Sequence, residues 1–201
     1  MAYRRSALME ERLADNRERI LLATRQRVAD GGFREAQVSA VAAAAGLSTG
    51  TLYRYFPSKA ELFVEVLTRA VDQEILILSE IAGRDVAASE RLGAAVASFV
   101  RRALAGPNLA YAFIAEPVDP EVEAARIRCR KQFGDVFKTI LNAGIDSGEF
   151  PAQDSDAAAA CIVGAFTEAL VGPIGPSTRN TRDKARLIEA IRTFCLRAVG
   201  G

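Results

Sequence analysis

Residues 45–62, AGLSTGTLYRYFPSKAEL, limit what this chain can fold into more than any other stretch. Gly46 tolerates a left-handed backbone, Ser48 is a strong helix N-cap, and Pro57 ends whatever helix precedes it. Ahead of this stretch, QVSAVAAAAG reads as a short alanine-rich helix. Earlier still, Ile20, Leu21 and Val28 form a helical stripe that stops at Gly31-Gly32. Three helical pieces joined by short turns within residues 14–56 predict a helix-turn-helix unit. Ala42 and Ala45 are small enough for its helices to approach closely, and Leu47 plugs the shared core. Leu52 and Phe56, four apart, form the inward pair of the last helix, which turns Tyr53, Arg54 and Tyr55 partly outward.

The following helix is expected to open at Ser58, with Glu61 completing a capping box, and to run to about Ile81. Beyond it the chain continues as helices. Ala87 to Ala105 is ended by Gly-Pro-Asn, and a short piece LAYAFIAE stops at Pro117. A long helix is capped by Asp119 with Pro120 at its first position and reaches about Ser147. SDAAAACIVGAFTEALVG is ended by GPIGPS, and a last helix covers about Thr181 to Ala198. No alternating strand pattern occurs. The expected fold class is therefore all-α, with about nine helices.

Composition narrows the function. The chain of 201 residues is 50% hydrophobic and 25% charged, a globular profile. No apolar run approaches the roughly 20 residues needed to cross a bilayer, and the N-terminus lacks a signal-peptide core, so a cytoplasmic protein is expected. There is no histidine, which removes the commonest metal ligand and the base of Ser-His-Asp catalysis. No metal, no cofactor and no enzyme activity are expected. Cys129, Cys161 and Cys195 read as reduced thiols. Arg126, Arg128 and Arg130 around Cys129 would lower its pKa and make it a candidate redox trigger. Residues 1–60 carry ten Lys/Arg against six Asp/Glu, net +4, while the remainder is net −3; only the N-terminal part is suited to a polyanion.

Thr49, Gly50 and Thr51 open the third helix with hydroxyls and a residue lacking a side chain, which lets the helix end sit close to a DNA groove edge. Lys59 stands at the positive end of the next helix, where a phosphate partner would explain a cation. Singly, each of these is an ordinary cap or surface residue; the combination points to DNA. VSAVAAAAGLSTGTLYRYFPSKAELFVEVL closely resembles the DNA-binding region of the TetR family of bacterial transcriptional regulators. The likeness covers about residues 14–74, with the helix-turn-helix motif at 37–56.

The resemblance implies a homodimer gripping two half-sites of a near-palindromic double-stranded operator, and a helical C-terminal effector-binding and dimerisation domain over 75–201. Carried over by position, Ser48, Thr49, Gly50, Thr51, Tyr53, Arg54, Tyr55 and Lys59 would contact DNA, and Gln37 and Ser39 would add backbone contacts. The family often has Thr where this chain has Gln37, so the hydroxyl cap would fall to Ser39. Arg4 and Arg5 precede the expected first helix as a basic arm or a solvated tail.

In the C-terminal part, Phe99, Tyr111, Phe113, Phe133, Phe137 and Phe166 are candidate walls of a pocket for a small, largely apolar effector, with Glu116, Arg130 and Glu168 as polar anchors. Ala157, Ala160, Cys161, Gly164 and Ala165 allow close helix packing. With Leu187, Ile191 and Phe194 they are the candidate dimer face. The reading is a repressor released from its operator by a small-molecule effector. The alternatives are an activator or a corepressor-dependent regulator, and more distantly a helical enzyme with an incidental helix-turn-helix.

Overall fold

The computed structural model describes residues 2–176 and 183–200, all helices and their connections, with no strand among them. The elements are α1 (Ala2–Gly31), α2 (Val38–Ala44), α3 (Thr49–Tyr55), α4 (Lys59–Ala82), α5 (Ala88–Ala105), α6 (Pro107–Ile114), α7 (Pro120–Asp146), α8 (Ser155–Ile174) and α9 (Lys184–Ala198). Helices α1 to α3 form a small head. α4 passes without a break from the head into a body made of α5 to α9.

Each boundary has a local cause. Ser58 Oγ accepts the Glu61 N–H at 3.0 Å and opens α4. Asp154 Oδ1 accepts from Asp156 and Ala157, both at 3.0 Å, and opens α8. Ala87, at the N-cap of α5, has no side chain able to cap. The carboxylate of Glu149, about sixty residues away, does this instead, accepting from Ala88 N at 2.7 Å and Ser89 N at 2.9 Å. The Ser89 side chain, with these two amides, holds Glu149 below its ordinary carboxylate range.

Four expectations need correction. α1 begins at Ala2, so Arg4 and Arg5 lie within it rather than ahead of it. Asp119 occupies the N-cap of α7 but makes no side-chain cap bond; its carbonyl takes the N–H groups of Val122 and Glu123. α8 does not end at Gly172 but carries Pro173 in its last turn. Proline there removes one late helical bond, the fully buried Ile174 anchors the turn, and Gly175 N closes back on Gly172 O. α8 is also 20 residues long and apolar enough, by length and composition, to cross a membrane, where the sequence reading expects no such stretch. The start expected for the last helix, Thr181, lies outside the described residues.

The core is continuous from head to body. In the head, Ile20, Val28, Val41, Ala42, Ala45, Leu52 and Phe56 are buried together with Leu62 and Val66 of α4. An ion-pair chain fixes α1 along α4: Arg17 to Glu65 at 2.9 Å, Glu65 to Arg69 at 3.0 Å, and Arg69 to Glu18 at 2.5 Å. Arg17 and Arg69 hold the Glu65 carboxyl below its ordinary value, against the opposing effect of burial.

Candidate nucleic-acid interface and effector cavity

The helix-turn-helix is built on the turn between α2 and α3. Leu47 N bonds Ala42 O and Gly46 N bonds Ala43 O, a Schellman closure that needs a left-handed residue. Gly46 supplies it at φ +67°, and a Cβ there would stand 2.7 Å from Arg19 Nη2. Arg19 needs that space, because its Nη2 donates to Ala45 O at 2.5 Å and so ties the turn to α1. Ser48 then caps α3, its Oγ accepting Thr51 N at 3.1 Å.

With Leu52 and Phe56 buried, the outer side of α3 presents Thr49, Gly50, Tyr53 and Arg54 to solvent, with Thr51 half-buried. Tyr55 is half-buried and its hydroxyl accepts from Asn16 Nδ2 of α1 at 3.1 Å. Gln37 and Ser39 are exposed at the start of α2. No side chain caps that helix, so Ser39 does not stand in for the hydroxyl missing at Gln37, whose Nε2 donates to Arg34 O at 2.8 Å. Lys59 is the first residue of α4, half-buried, with its ammonium 5.1 Å above the Phe63 ring.

The body holds a cavity of about 700 Å³. Its walls come from α1 (Leu21, Leu22, Arg25), α4 (among them Val66, Val71, Leu76 and Ile77), α5 (Phe99, Arg102, Ala103), α6 (Leu109, Ala110, Phe113, Ile114) and α7 (Arg126, Cys129, Arg130, Phe133). Leu22 and Leu76, 64% and 59% exposed, make an apolar rim between α1 and α4. Phe99 and Phe133 meet edge-on at 5.6 Å within the wall. Behind them Phe166 lies 4.8 Å from Phe99 and 5.4 Å from Phe137. Three of the wall's cations are matched by carboxylates, Arg69 by Glu18, Arg102 by Glu74 at 2.6 Å, and Arg126 by Glu123.

Head and body meet at α6. Glu116, just past α6, accepts from Phe33 N at 2.9 Å and Arg34 N at 3.0 Å, in the turn between α1 and α2. Gly32, at φ +84°, permits this contact, since a Cβ there would lie 2.5 Å from Glu116 Oε2. Asn108 Nδ2 donates to Ala29 O and Asp30 O at 2.9 and 2.7 Å, and Phe33 stacks between Phe63 and Phe113 at 4.5 and 5.7 Å.

Comparison with known proteins decides the family. The model for bacterial regulatory proteins of the tetR family matches residues 20–66, and that for the tetracyclin repressor-like C-terminal domain matches residues 85–170. The chain belongs to the TetR family. Regulators of this family bind DNA operators and small-molecule effectors and function as dimers. The HTH-type transcriptional repressor KstR of Mycolicibacterium smegmatis is 44% identical over 68 residues, 34% of this chain and 33% of that protein. The match thus spans about a third of the length of that relative. Among solved structures, the fatty acid degradation regulator FadR of Bacillus halodurans superposes with a TM-score of 0.76 at 22% identity, covering 92% of this chain and 98% of that one. The transcriptional regulator FadR of Bacillus subtilis in complex with stearoyl-CoA gives 0.74 at 24% identity, with the same coverage. Both show that the whole TetR fold, head and body, is shared.

Within this TetR-family body the expected effector residues separate. Phe99, Phe113, Arg130 and Phe133 line the cavity. Phe137 and Phe166 are fully buried behind it and do not line it. Tyr111 and Glu116 line a second cleft, between α6 and the head, and Glu168 is exposed on α8 and lines neither. Cys129 does line the cavity, but the expected activation is reversed: burial raises its pKa, Arg128 opposes this only in part, and Asp72 adds to it. Cys195 is pushed up to about 11 by burial alone. On the expected dimer face, Ala157, Ala160, Cys161 and Gly164 are exposed, as is Phe194 at 61%; Ala165 and Leu187 are half-buried. Ile191 is buried within the subunit's own core.

Sequence reasoning missed the walls from α1 and α4 and the buried Arg126. A signal existed for Arg126. Arg126, Cys129, Arg130 and Phe133 recur at positions i, i+3, i+4 and i+7, one face of a helix.

Proposed function

We propose that the protein is a sequence-specific, homodimeric transcriptional repressor released from a near-palindromic double-stranded operator by a small, largely apolar effector. The observation that carries this is the pairing of an exposed α3 surface, on a tightly buried helix-turn-helix core, with a separate apolar cavity. Thr49, Gly50, Thr51, Tyr53 and Arg54 enter the major groove. Ser48, Gln37, Ser39, Tyr55 and Lys59 flank them toward the phosphates. The stearoyl-CoA held by FadR of Bacillus subtilis supports a ligand with an extended apolar chain, which the rim of Leu22 and Leu76 would admit.

A second copy of the chain covers the exposed small residues of α8 together with Phe194. This gives the uncovered apolar face of α8 a partner other than a lipid bilayer. The protein acts in the cytoplasm, without cofactor or metal and without catalysis.

Transcription from the chain's own upstream region, fused to a reporter in cells with and without the gene, tests the repressor. Expression should rise when the gene is deleted, whereas a fall would make it an activator. Duplex binding by two chains per site, abolished by a combined Tyr53→Ala and Arg54→Ala change, tests the interface.

A further inference from the structure

The α6 end of the cavity carries a feature that an apolar effector alone does not explain. Arg126 is a cavity residue whose side chain is only 7% exposed. Its Nη1 pairs with Glu123, and its Nη2 donates to Ala112 O at 3.0 Å and Glu116 O at 2.8 Å. Its Nε is buried without a partner, a state shared among the described residues only with Arg91 Nε. One helical turn on, Arg130 reaches Ile114 O at 3.3 Å. Two guanidinium groups are thus directed at neutral carbonyls at the C-terminal end of α6.

Resting on the repressor reading above, we infer that Arg126, with Arg130 beside it, is the anchor for an anionic head group, carboxylate or phosphate, on an otherwise apolar effector. Binding there draws donors away from the α6 carbonyls. A guanidinium cannot shed its charge to suit a buried site, and burial, with a smaller part from the nearby Arg130, opposes the Arg126 cation more than Glu123 supports it. An anion forms charge-assisted hydrogen bonds roughly twice as strong as those to neutral acceptors, so it competes well for the same donors. Ala112 and Glu116 then lose their hold on α7. Glu116 is the residue whose carboxylate clamps Phe33 N and Arg34 N at the entry to the helix-turn-helix. The head group is thereby coupled to the head through a single side chain.

The test uses the full-length protein with decanoate, decyl phosphate and decan-1-ol, matched in chain and differing in head. Calorimetry should show both anions, or one of them, binding at least tenfold more tightly than the alcohol, and their ranking identifies carboxylate or phosphate as the source. Hydrogen exchange should speed up at the Phe33 and Arg34 amides with the preferred anion and not with the alcohol. Arg126→Met should remove both differences while keeping alcohol binding. If that variant does not fold, the wild-type comparison decides alone. Equal binding of all three ligands, or anion binding that leaves the two amides unchanged, overturns the inference. Binding of a selected operator duplex by the unliganded protein is scored in parallel. Its absence refutes the repressor reading, and head-group selectivity stays readable without it.

Discussion

The head and the body solve opposite problems with the same helical material. In the head, the residues proposed to meet DNA lie within residues 37–59 and are set largely by neighbours a few positions away: Ser48 on Thr51, Gly46 between Ala43 and Leu47, Leu52 with Phe56. Its core is closed and its function faces outward. In the body, the cavity takes its walls from five helices spread between Glu18 and Phe133 and from Thr167 of α8, and α6 stays half-buried against it. A rigid reading surface comes from local closure, while a responsive cavity comes from incomplete closure between distant elements.

Substitutions can separate the two regions. The largest stability loss should come from the body: Phe166→Ala, which removes a fully buried ring packed at a tilt against Phe99 and Phe137, should cost about 3–5 kcal/mol in urea unfolding. The protein that remains folded should keep its operator affinity. Gly46→Ala should cost about 1–3 kcal/mol for a strained positive φ, and because it displaces Arg19 it should also lower operator affinity. Equal affinity would contradict the tie between α1 and the turn. Glu149→Ala should cost about 1 kcal/mol, the value of an N-cap, with no effect on DNA binding.

Acid should weaken the joint between α1 and α4. Glu65 has a folded pKa below its ordinary 4.5, so the unfolded chain binds the proton more readily. Its stabilising contribution is complete above 4.5 and fades as pH falls through the lowered value. Unfolding midpoints of Glu65→Gln followed downward from pH 6 should depend less on pH than those of the wild type. Arg54→Ala, at the other extreme, should change stability by less than about 0.5 kcal/mol. It should nevertheless reduce operator affinity and, if Arg54 meets a phosphate, flatten the salt dependence by about one counterion.

The same contrast explains what could be read from the chain. The turn at Gly46, the cap at Ser48 and the stop at Pro57 are chemical properties of single residues, and the structure has each of them where expected. At α2 the expectation fails: neither Gln37 nor Ser39 supplies a side-chain cap. Asp119 and Pro120 take their expected places at the start of α7, though without a side-chain cap bond, while Pro173 misleads because α8 continues through it to the fully buried Ile174. The cavity wall was legible only in part. Aromatic residues flag a core without saying which side of a wall they take, so Phe99 and Phe133 face the cavity while Phe137 and Phe166 stand behind it. Glu116 and Glu149 act on backbone amides about eighty and sixty residues away, and no local pattern announces a contact of that kind.

The central claim, that α3 reads a specific duplex, is tested most directly by selecting bound sequences from a random duplex pool at two salt concentrations. The account predicts enrichment of a near-palindrome with half-sites about 34–36 Å apart, retained at the higher salt. Binding without enrichment that collapses as salt rises would mean a nonspecific polyanion binder and would contradict it.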